Sequence, residues 1–270
     1  MTLAPAKKVS RAARRTPRFR GSRILIGAVP LLVVIALWQV AKAAGALPFS
    51  TVPSPSDVAV AGYRLIADGE LVAAVAHTLV AVILGWVVGS AAGLMLGIAL
   101  GASATTWRWT MATVQVLRAI PAIAFVSIAV IVFSQTLTME VVIAAWVAVW
   151  PVAISAMDGI RDVTPHHREL AHSLRMRPLA RLIKIELPTA APNVFVALRL
   201  SLGGSLALAI VAEIVGNPQG IGYALVQQQL ALHADAMFAY IIVAGLIGLA
   251  LNAAIQALAP LVPGTRGGRS

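Results

Sequence analysis

The sequence predicts an all-α, polytopic membrane protein with about six transmembrane helices and one cytoplasmic helical loop. The first observation is composition: 59% of the 270 residues are hydrophobic and 11% are charged, whereas soluble domains have about 25% charged residues. The second is a series of apolar runs close to the length of a membrane span, which is about 20 residues. The third is the concentration of basic residues in a few segments between those runs, which is typical of cytoplasmic segments.

Six apolar runs are the predicted spans. For the first of them the alternative is a signal peptide, because basic residues precede it and small residues follow it. Its length and the five later runs favour a span. We therefore divide the chain into a basic tail (1–23), a transmembrane domain (24–262) and a short tail (263–270). A separate interfacial helix is predicted ahead of the third span, over 107–118. The spans cover about 24–41, 78–100, 119–137, 141–157, 194–214 and 237–260.

The distribution of arginine and lysine predicts the orientation of the spans. With the N-terminus in the cytoplasm, seventeen basic residues fall in predicted cytoplasmic segments and two, Lys42 and Arg64, fall outside. Eight of the seventeen lie in the tail 1–23, which has no acid and is predicted to be disordered, resting on lipid headgroups. The net charge of +11 therefore reflects membrane topology and does not indicate nucleic acid as a partner.

A ladder of five glycines marks the second span. Gly85, Gly89, Gly93, Gly97 and Gly101 recur at every fourth position, so they follow one face of a helix. A face without side chains lets another helix backbone approach closely, as in the small-xxx-small pattern of membrane proteins. Two interpretations remain open: tight packing within one subunit, or a surface that slides or faces another subunit.

The sequence contains no motif for nucleotide binding or hydrolysis. A P-loop is absent, since no Gly-Lys dipeptide occurs, and neither H-E-x-x-H nor G-x-S-x-G is present. Cysteine is absent, and three of the five histidines lie in one basic segment, where solvated surface residues are the ordinary interpretation. No enzyme activity, cofactor or metal is therefore predicted. Energy for transport against a gradient has to come from a partner.

Few ionisable residues lie within the predicted spans. Such residues in mid-span mark ion or solute pathways, but here Arg118, Arg199 and Glu213 lie close to span ends. Arg118 and Glu213 are retained as candidate pathway residues. For the two arginines the alternative is that the side chain extends to the lipid headgroups. The sequence shows neither charges in the middle of a span nor an inverted repeat, which are the features typical of a secondary transporter.

The basic segment between the fourth and fifth spans carries a recognisable motif. Glu169-x-Ala171 is followed at a fixed distance by Ile185-x-Leu187-Pro188. This resembles the EAA loop of binding-protein-dependent ABC transporter permeases, whose pattern is E-A-A, three residues, G, nine residues and I-x-L-P. The matching residues are in register. Two positions depart from the pattern: Leu170 replaces the first alanine and Arg175 replaces the glycine.

Other blocks resemble the nitrate, sulfonate and taurine branch of the same family, in the same order. The resemblance covers about residues 52–259. One departure is VFSQ (132–135), where the family usually has W-F-G. The blocks are VPSPSDV (52–58), HTLVAVILGWVVGSAAGLMLGIALG (77–101), LRAIPAIAF (117–125) and AEIVGNPQGIGYAL (212–225).

Prolines are predicted to divide the EAA loop (about 165–188) into two helices of about two turns each. Proline disfavours helix at the residue before it and cannot continue one, so Pro165, Pro178 and Pro188 would bound helices at 168–177 and 179–187. On the first helix, apolar residues at helical spacing are predicted to form a docking face with a basic rim. These residues are Leu170, Ala171 and Leu174.

The resemblance implies a permease subunit of an ABC importer in a bacterial cytoplasmic (inner) membrane, multi-pass and without an ATPase of its own. It implies that the loop docks in a cleft of a separate ATPase subunit. It also implies an extracytoplasmic binding protein that delivers a small solute of nitrate, sulfonate or taurine type. A homodimer of permeases is expected around one pathway, with a heterodimer as the alternative. The alternative function is a secondary transporter or channel not coupled to an ATPase. The expected coupling residues are Glu169, Ala171, Arg175, Ile185, Leu187 and Pro188.

Overall fold

The computed structural model describes residues 20–46, 52–164, 169, 171 and 173–262, with the side chains of 20–28 and 104 excepted. The predicted tails therefore lie wholly or largely outside the described residues. The chain forms two compact units, 1–49 and 50–270. In the first unit, helix α1 is Arg20–Ala43. The described side chains of this helix, from Val29 to Ala43, form an apolar segment.

The described part of the second unit consists of helices joined by short connections and contains no strand. A π-helical segment, Leu182–Glu186, connects α7 to α8, and a 3₁₀ turn follows α10 at Ala259–Leu261. The helices with described bounds in this unit are α2 (Pro55–Ala67), α3 (Glu70–Gly101), α4 (Ala104–Ala119), α5 (Ala122–Phe133), α6 (Leu137–Arg161), α7 (Pro178–Arg181), α8 (Leu187–Gly216), α9 (Gly220–Leu230) and α10 (Ala234–Ala257).

Four helices in the described residues are long and apolar enough to cross a membrane. They are α3, α6, the continuous helix Pro178–Gly216 and Ala234–Leu261. The pair α4–α5 makes a fifth crossing if it is counted as one span, with a bend of 81°. The all-helical, polytopic fold is confirmed. The number of six spans stays a prediction.

The glycine ladder lies directly on the backbone of α6. A Cβ atom built on Gly85 would lie 2.8 Å from the carbonyl oxygen of Val141, and one built on Gly101 would lie 3.1 Å from that of Met157. The glycines therefore pack against α6 of the same chain. Because the contacts advance together along both helices, α3 and α6 run in the same direction. The chain must return between them, and α4–α5 provides that return.

Helix α8 runs against α6. Ser205 donates from its hydroxyl to the carbonyl oxygen of Ala144 at 2.9 Å, while a Cβ on Gly159 would lie 2.6 Å from that of Ala190. The bundle therefore has two distinct ends. We call the end where α3 and α6 terminate the loop end. We call the other, where these helices begin and α9 lies, the α9 end.

The third predicted span differs from the structure. Helix α4 (Ala104–Ala119) agrees with the separate helix predicted over 107–118. The predicted span over 119–137 is wrong in its length, because α5 covers only Ala122–Phe133. The cause is Pro121. Proline disfavours the helical conformation of the residue before it, and Ile120 is extended, with φ −65° and ψ 124°.

Pro188 does not end a helix, contrary to the prediction for the second half of the EAA loop. The helix that begins at Pro178 continues to Gly216. Proline in a helix lacks an N–H donor and clashes with the carbonyl four residues earlier. The π-helical segment Leu182–Glu186 precedes Pro188 directly, and the N–H of Leu187 donates to the carbonyl of Leu182, five residues earlier. This wider turn accommodates the proline.

Candidate functional site

The EAA loop connects α6 to the long helix Pro178–Gly216 at the loop end. Its described residues are 169, 171 and 173–188, and residues 165–168, 170 and 172 lie outside the description. Residues 169, 171 and 173 are helical, and a turn at 174–175 separates them from α7. The predicted division into two helical parts is therefore present, with the division at Arg175.

Arg175 adopts the left-handed conformation at the end of the first helical part. Its φ is +47°, and the N–H of Met176 donates to the carbonyl of Ala171 at 3.0 Å. A hydrogen bond from an N–H to the carbonyl five positions earlier, with a left-handed residue just before the donor, is the Schellman motif that ends many helices. Glycine is favoured at that left-handed position because it has no Cβ atom. The geometry explains why the motif has a glycine where this chain has Arg175.

An apolar surface on the loop is exposed beside charged residues. Leu174, Leu179 and Ile183 are 64%, 67% and 54% exposed. Leu179 and Ile183 are four positions apart in the continuous helix, so they share a face. The charged side chains of Glu169, Arg175, Arg177 and Lys184 are also exposed. We call the three apolar residues the loop patch.

Other motif residues face the protein instead. Ala171 is 3% exposed, so the prediction that it belongs to an exposed docking face is wrong. Ile185, Leu187 and Pro188 are half-buried. Glu186, between two of them, is buried and accepts a hydrogen bond from Arg181 Nε at 2.7 Å. The I-x-L-P half of the motif is therefore less exposed than the loop patch.

Arg118 lines a cavity of about 550 Å³ at the bend between α4 and α5. The other lining residues come from α6 and α8 and include Trp146, Trp150, Ser155 and Leu200. The Arg118 side chain is exposed. A bent span with an arginine at its break provides a positive charge and the free N–H groups of a helix start, which together suit an anion.

Glu213, the other candidate pathway residue, lies at the α9 end and is 1% exposed. Its Oε1 accepts from the hydroxyl of Thr78 at 2.6 Å, and its Oε2 accepts from the N–H of Gly222 at 2.8 Å. Glu213 therefore lines no open surface in this chain, and its geometry gives no support to a pathway role.

Glu213 belongs to a buried polar cluster that the sequence analysis did not assemble. One possible metal-ligand atom from each of His77, Glu140 and Glu213 lies within 4.8 Å of the other two, close enough for the three to share a cation. However, hydrogen bonds already reach both oxygens of Glu213, and His77 Nε2 lies 3.1 Å from both oxygens of Glu140. The cluster is therefore satisfied by protein donors. It was missed because its members come from three helices, 63 to 136 positions apart.

The family of the chain follows from a comparison with known protein families. The family described as "Binding-protein-dependent transport system inner membrane component" matches residues 89–263. The chain belongs to this family. The match covers the glycine ladder from Gly89 onward, the EAA loop and the polar stretch around α9.

Curated relatives have the same kind of role. The chain is 29% identical over 252 residues to the aliphatic sulfonates transport permease protein SsuC of Bacillus subtilis, covering 93% of this chain and 91% of that protein. It is 26% identical over 265 residues to the nitrate import permease protein NrtB of Leptolyngbya laminosa, covering 93% and 95%. The resemblance to the nitrate and sulfonate branch is therefore confirmed.

Solved structures with the same fold are ABC transporters. One is the inward-facing MetNI methionine ABC transporter, with a TM-score of 0.56, 19% identity and coverage of 67% of this chain and 93% of that chain. Another is an amino acid ABC transporter, with a TM-score of 0.57, 19% identity and coverage of 73% and 94%. At this identity the likeness concerns the fold.

Family membership decides between the two functions left open by the sequence. The chain is the membrane permease subunit of an ABC importer rather than an uncoupled transporter or channel, and it is not an enzyme, because ATP hydrolysis belongs to a separate subunit. An ATPase subunit and a substrate-binding protein are the partners that this membership implies.

Proposed function

We propose that this permease carries a small solute of nitrate, sulfonate or taurine type, which has an anionic group, and that ATPase binding at the loop patch drives transport. The observation that carries the coupling part is the position of the loop patch: an exposed apolar surface with charged neighbours, at one end of the bundle. Glu169 and the basic residues Arg175 and Arg177 would contact the rim of the ATPase cleft. Ala171 and the I-x-L-P residues would transmit movement, because they are buried or half-buried in the protein.

The anion is supported by two independent observations. The curated relatives carry sulfonate, nitrate and bicarbonate in their names. In this chain, Arg118 exposes its guanidinium in a cavity beside the start of α5. An exposed arginine against lipid tails is costly, whereas an arginine on a water-filled pathway is not.

Reconstitution tests this function directly. Membrane vesicles that contain the permease, its ATPase and its binding protein should take up nitrate, an alkanesulfonate or taurine when ATP is supplied. Methionine, the substrate in the name of the methionine transporter of similar fold, serves as the contrasting solute. Uptake of methionine with no uptake of the anions would contradict the substrate class.

We further propose that the N-terminus is cytoplasmic, and that the loop end also faces the cytoplasm, where the ATPase binds. Seventeen basic residues lie in segments predicted to be cytoplasmic and two in segments predicted to be external, which supports this orientation. Because the chain has no cysteine, single cysteines can be introduced at Asp68 and at Arg177. An impermeant thiol reagent added outside intact cells should label the first position and not the second.

A further inference from the structure

The first turn of α9 is capped by side chains from two other helices. The first N–H groups of a helix have no partner within the helix, and the N-cap residue of α9, Gln219, makes no side-chain cap. Instead, the N–H of Ile221 donates to Thr78 Oγ1 on α3 at 3.0 Å, and the N–H of Gly222 donates to Glu213 on α8 at 2.8 Å. The hydroxyl of Thr78 in turn donates to Glu213.

Two glycines allow α9 to approach this closely. Gly220 has a φ of +88°, which favours glycine, and a Cβ atom there would overlap the carboxylate of Glu213. A Cβ atom on Gly222 would overlap the carbonyl oxygen of Ile210. The position of α9 is therefore defined both by its hydrogen bonds and by the absence of two side chains.

A second set of contacts holds the turn that leads into α9. Asn217, the C-cap residue of α8, donates through Nδ2 to Glu140 on α6, which His77 of α3 also contacts. Glu140 and Glu213 are both buried, so each charge needs a compensating group. His77 lies against Glu140, and the positive start of α9 lies against Glu213. Three helices thus hold one short helix.

Helix α9 also forms a wall of a cavity of about 380 Å³ at the α9 end. Polar side chains from three helices line it. They include Tyr223, Gln227 and Gln228 from α9, Glu70 and His77 from α3, and Tyr240 from α10.

We infer that Thr78 and Glu213 are positioning residues for transport, which hold α9 as a fixed wall of the cavity where the solute enters. The inference rests on the proposed function, because that function puts the ATPase at the opposite end of the bundle. Loss of the cap should release α9 while the loop end stays intact. Solute uptake should then fall, and ATPase binding should not.

The test uses the complete complex in lipid nanodiscs and vesicles, with a spin label on Gln229→Cys. Gln229 is exposed on α9, and the chain has no other cysteine. Thr78→Val keeps the shape of threonine but removes the hydroxyl, and Gly222→Ala disturbs the same contact by overlap. In both variants we expect a mobile label and uptake reduced by about tenfold or more, because buried donors lose their partners. Co-purification of the ATPase and its basal hydrolysis should stay at the wild-type level.

Conservative variants should restore function. Thr78→Ser keeps the hydroxyl. In Glu213→Gln, the amide oxygen can accept from Gly222 and the amide nitrogen can donate to Thr78, whose hydroxyl then donates to the carbonyl of Ala74, now 3.1 Å away. Both variants should show an immobile label and near wild-type uptake. Thr110→Val is the matched control, since among the described residues that hydroxyl donates to the carbonyl of Thr106 in its own helix.

Three results would overturn the inference: wild-type uptake in Thr78→Val and Gly222→Ala, reduced uptake with an immobile label, or loss of ATPase binding together with uptake. The last would mean general unfolding. Failure of the proposed function is distinguishable, since it would appear in the wild-type complex as absent anion uptake. The mobility of the label is measured without any solute.

Discussion

At the residue scale, Arg175 shows how a departure from a motif can be understood physically. Its left-handed φ of +47° is a conformation that costs a residue with a Cβ atom about 1–2 kcal/mol. The sequence identified the position as unusual but gave no conformation for it. The structure supplies the reason, because the first helical part of the loop ends there.

Arg175→Gly should therefore stabilise the protein. The relief of the left-handed conformation, about 1–2 kcal/mol, exceeds the entropic cost of glycine, about 0.5–1 kcal/mol. Thermal unfolding in detergent should show a higher Tm. Arg175→Ala is the matched control, because it removes the same charge but keeps a Cβ atom. An equal gain in both variants would mean that the charge, and not the backbone, is responsible.

Glu169→Lys should uncouple the transporter without unfolding it. Glu169 is exposed at the loop end, so its exchange leaves the bundle intact. A carboxylate that accepts from the ATPase would lose a charge-assisted hydrogen bond of about 1.5–3 kcal/mol, which weakens binding about tenfold or more. Co-purification of the ATPase and solute uptake measure this. Asp68→Lys, an exposed acid just before α3, should leave both at the wild-type level; wild-type values in Glu169→Lys would refute the coupling role.

At the scale of elements, the glycine ladder determines how closely two spans pack. Gly93 is central: a Cβ atom there would lie 2.5 Å from the carbonyl oxygen of Val149. Gly93→Ala should destabilise the protein by about 1–3 kcal/mol through overpacking, although alanine favours a helix over glycine by about 1 kcal/mol. Gly245→Ala, in α10, should instead be neutral or stabilising, because a Cβ atom there would lie within 4 Å of no described atom beyond the neighbouring backbone of its own helix. Thermal unfolding of both variants decides whether the ladder is a packing surface.

The effect of proline on a helix could not be predicted from the sequence in every case. Pro121 breaks a span and Pro188 does not, although both follow helix-forming residues. The difference lies in the preceding turn, which is a π-helix before Pro188 and an extended residue before Pro121. Hydrogen-bond patterns of that kind depend on how the helix packs on its neighbours, so local sequence rules could not separate the two cases.

At the scale of the whole molecule, apolar runs and charge distribution were sufficient to predict a helical membrane protein, because the bilayer imposes both. The loop motif was predictable because all its residues lie within twenty positions of the sequence. The buried cluster of His77, Glu140 and Glu213 was not, because it exists only after three helices have packed together. Likewise, helical spacing alone predicted that Ala171 is exposed, whereas in the folded protein it is buried.

The last prediction concerns assembly. A single chain leaves Arg118 exposed at the surface cavity that it lines with Leu200 of α8, and a charge is costly in contact with lipid. A second copy related by two-fold symmetry would enclose that surface around a common pathway, and closed two-fold dimers are the commonest oligomers. A dimeric ATPase offers two clefts, and each chain has one loop. Native mass spectrometry of the purified complex should therefore show two copies of this chain with two ATPase subunits. One copy beside a different permease would establish the heterodimer instead.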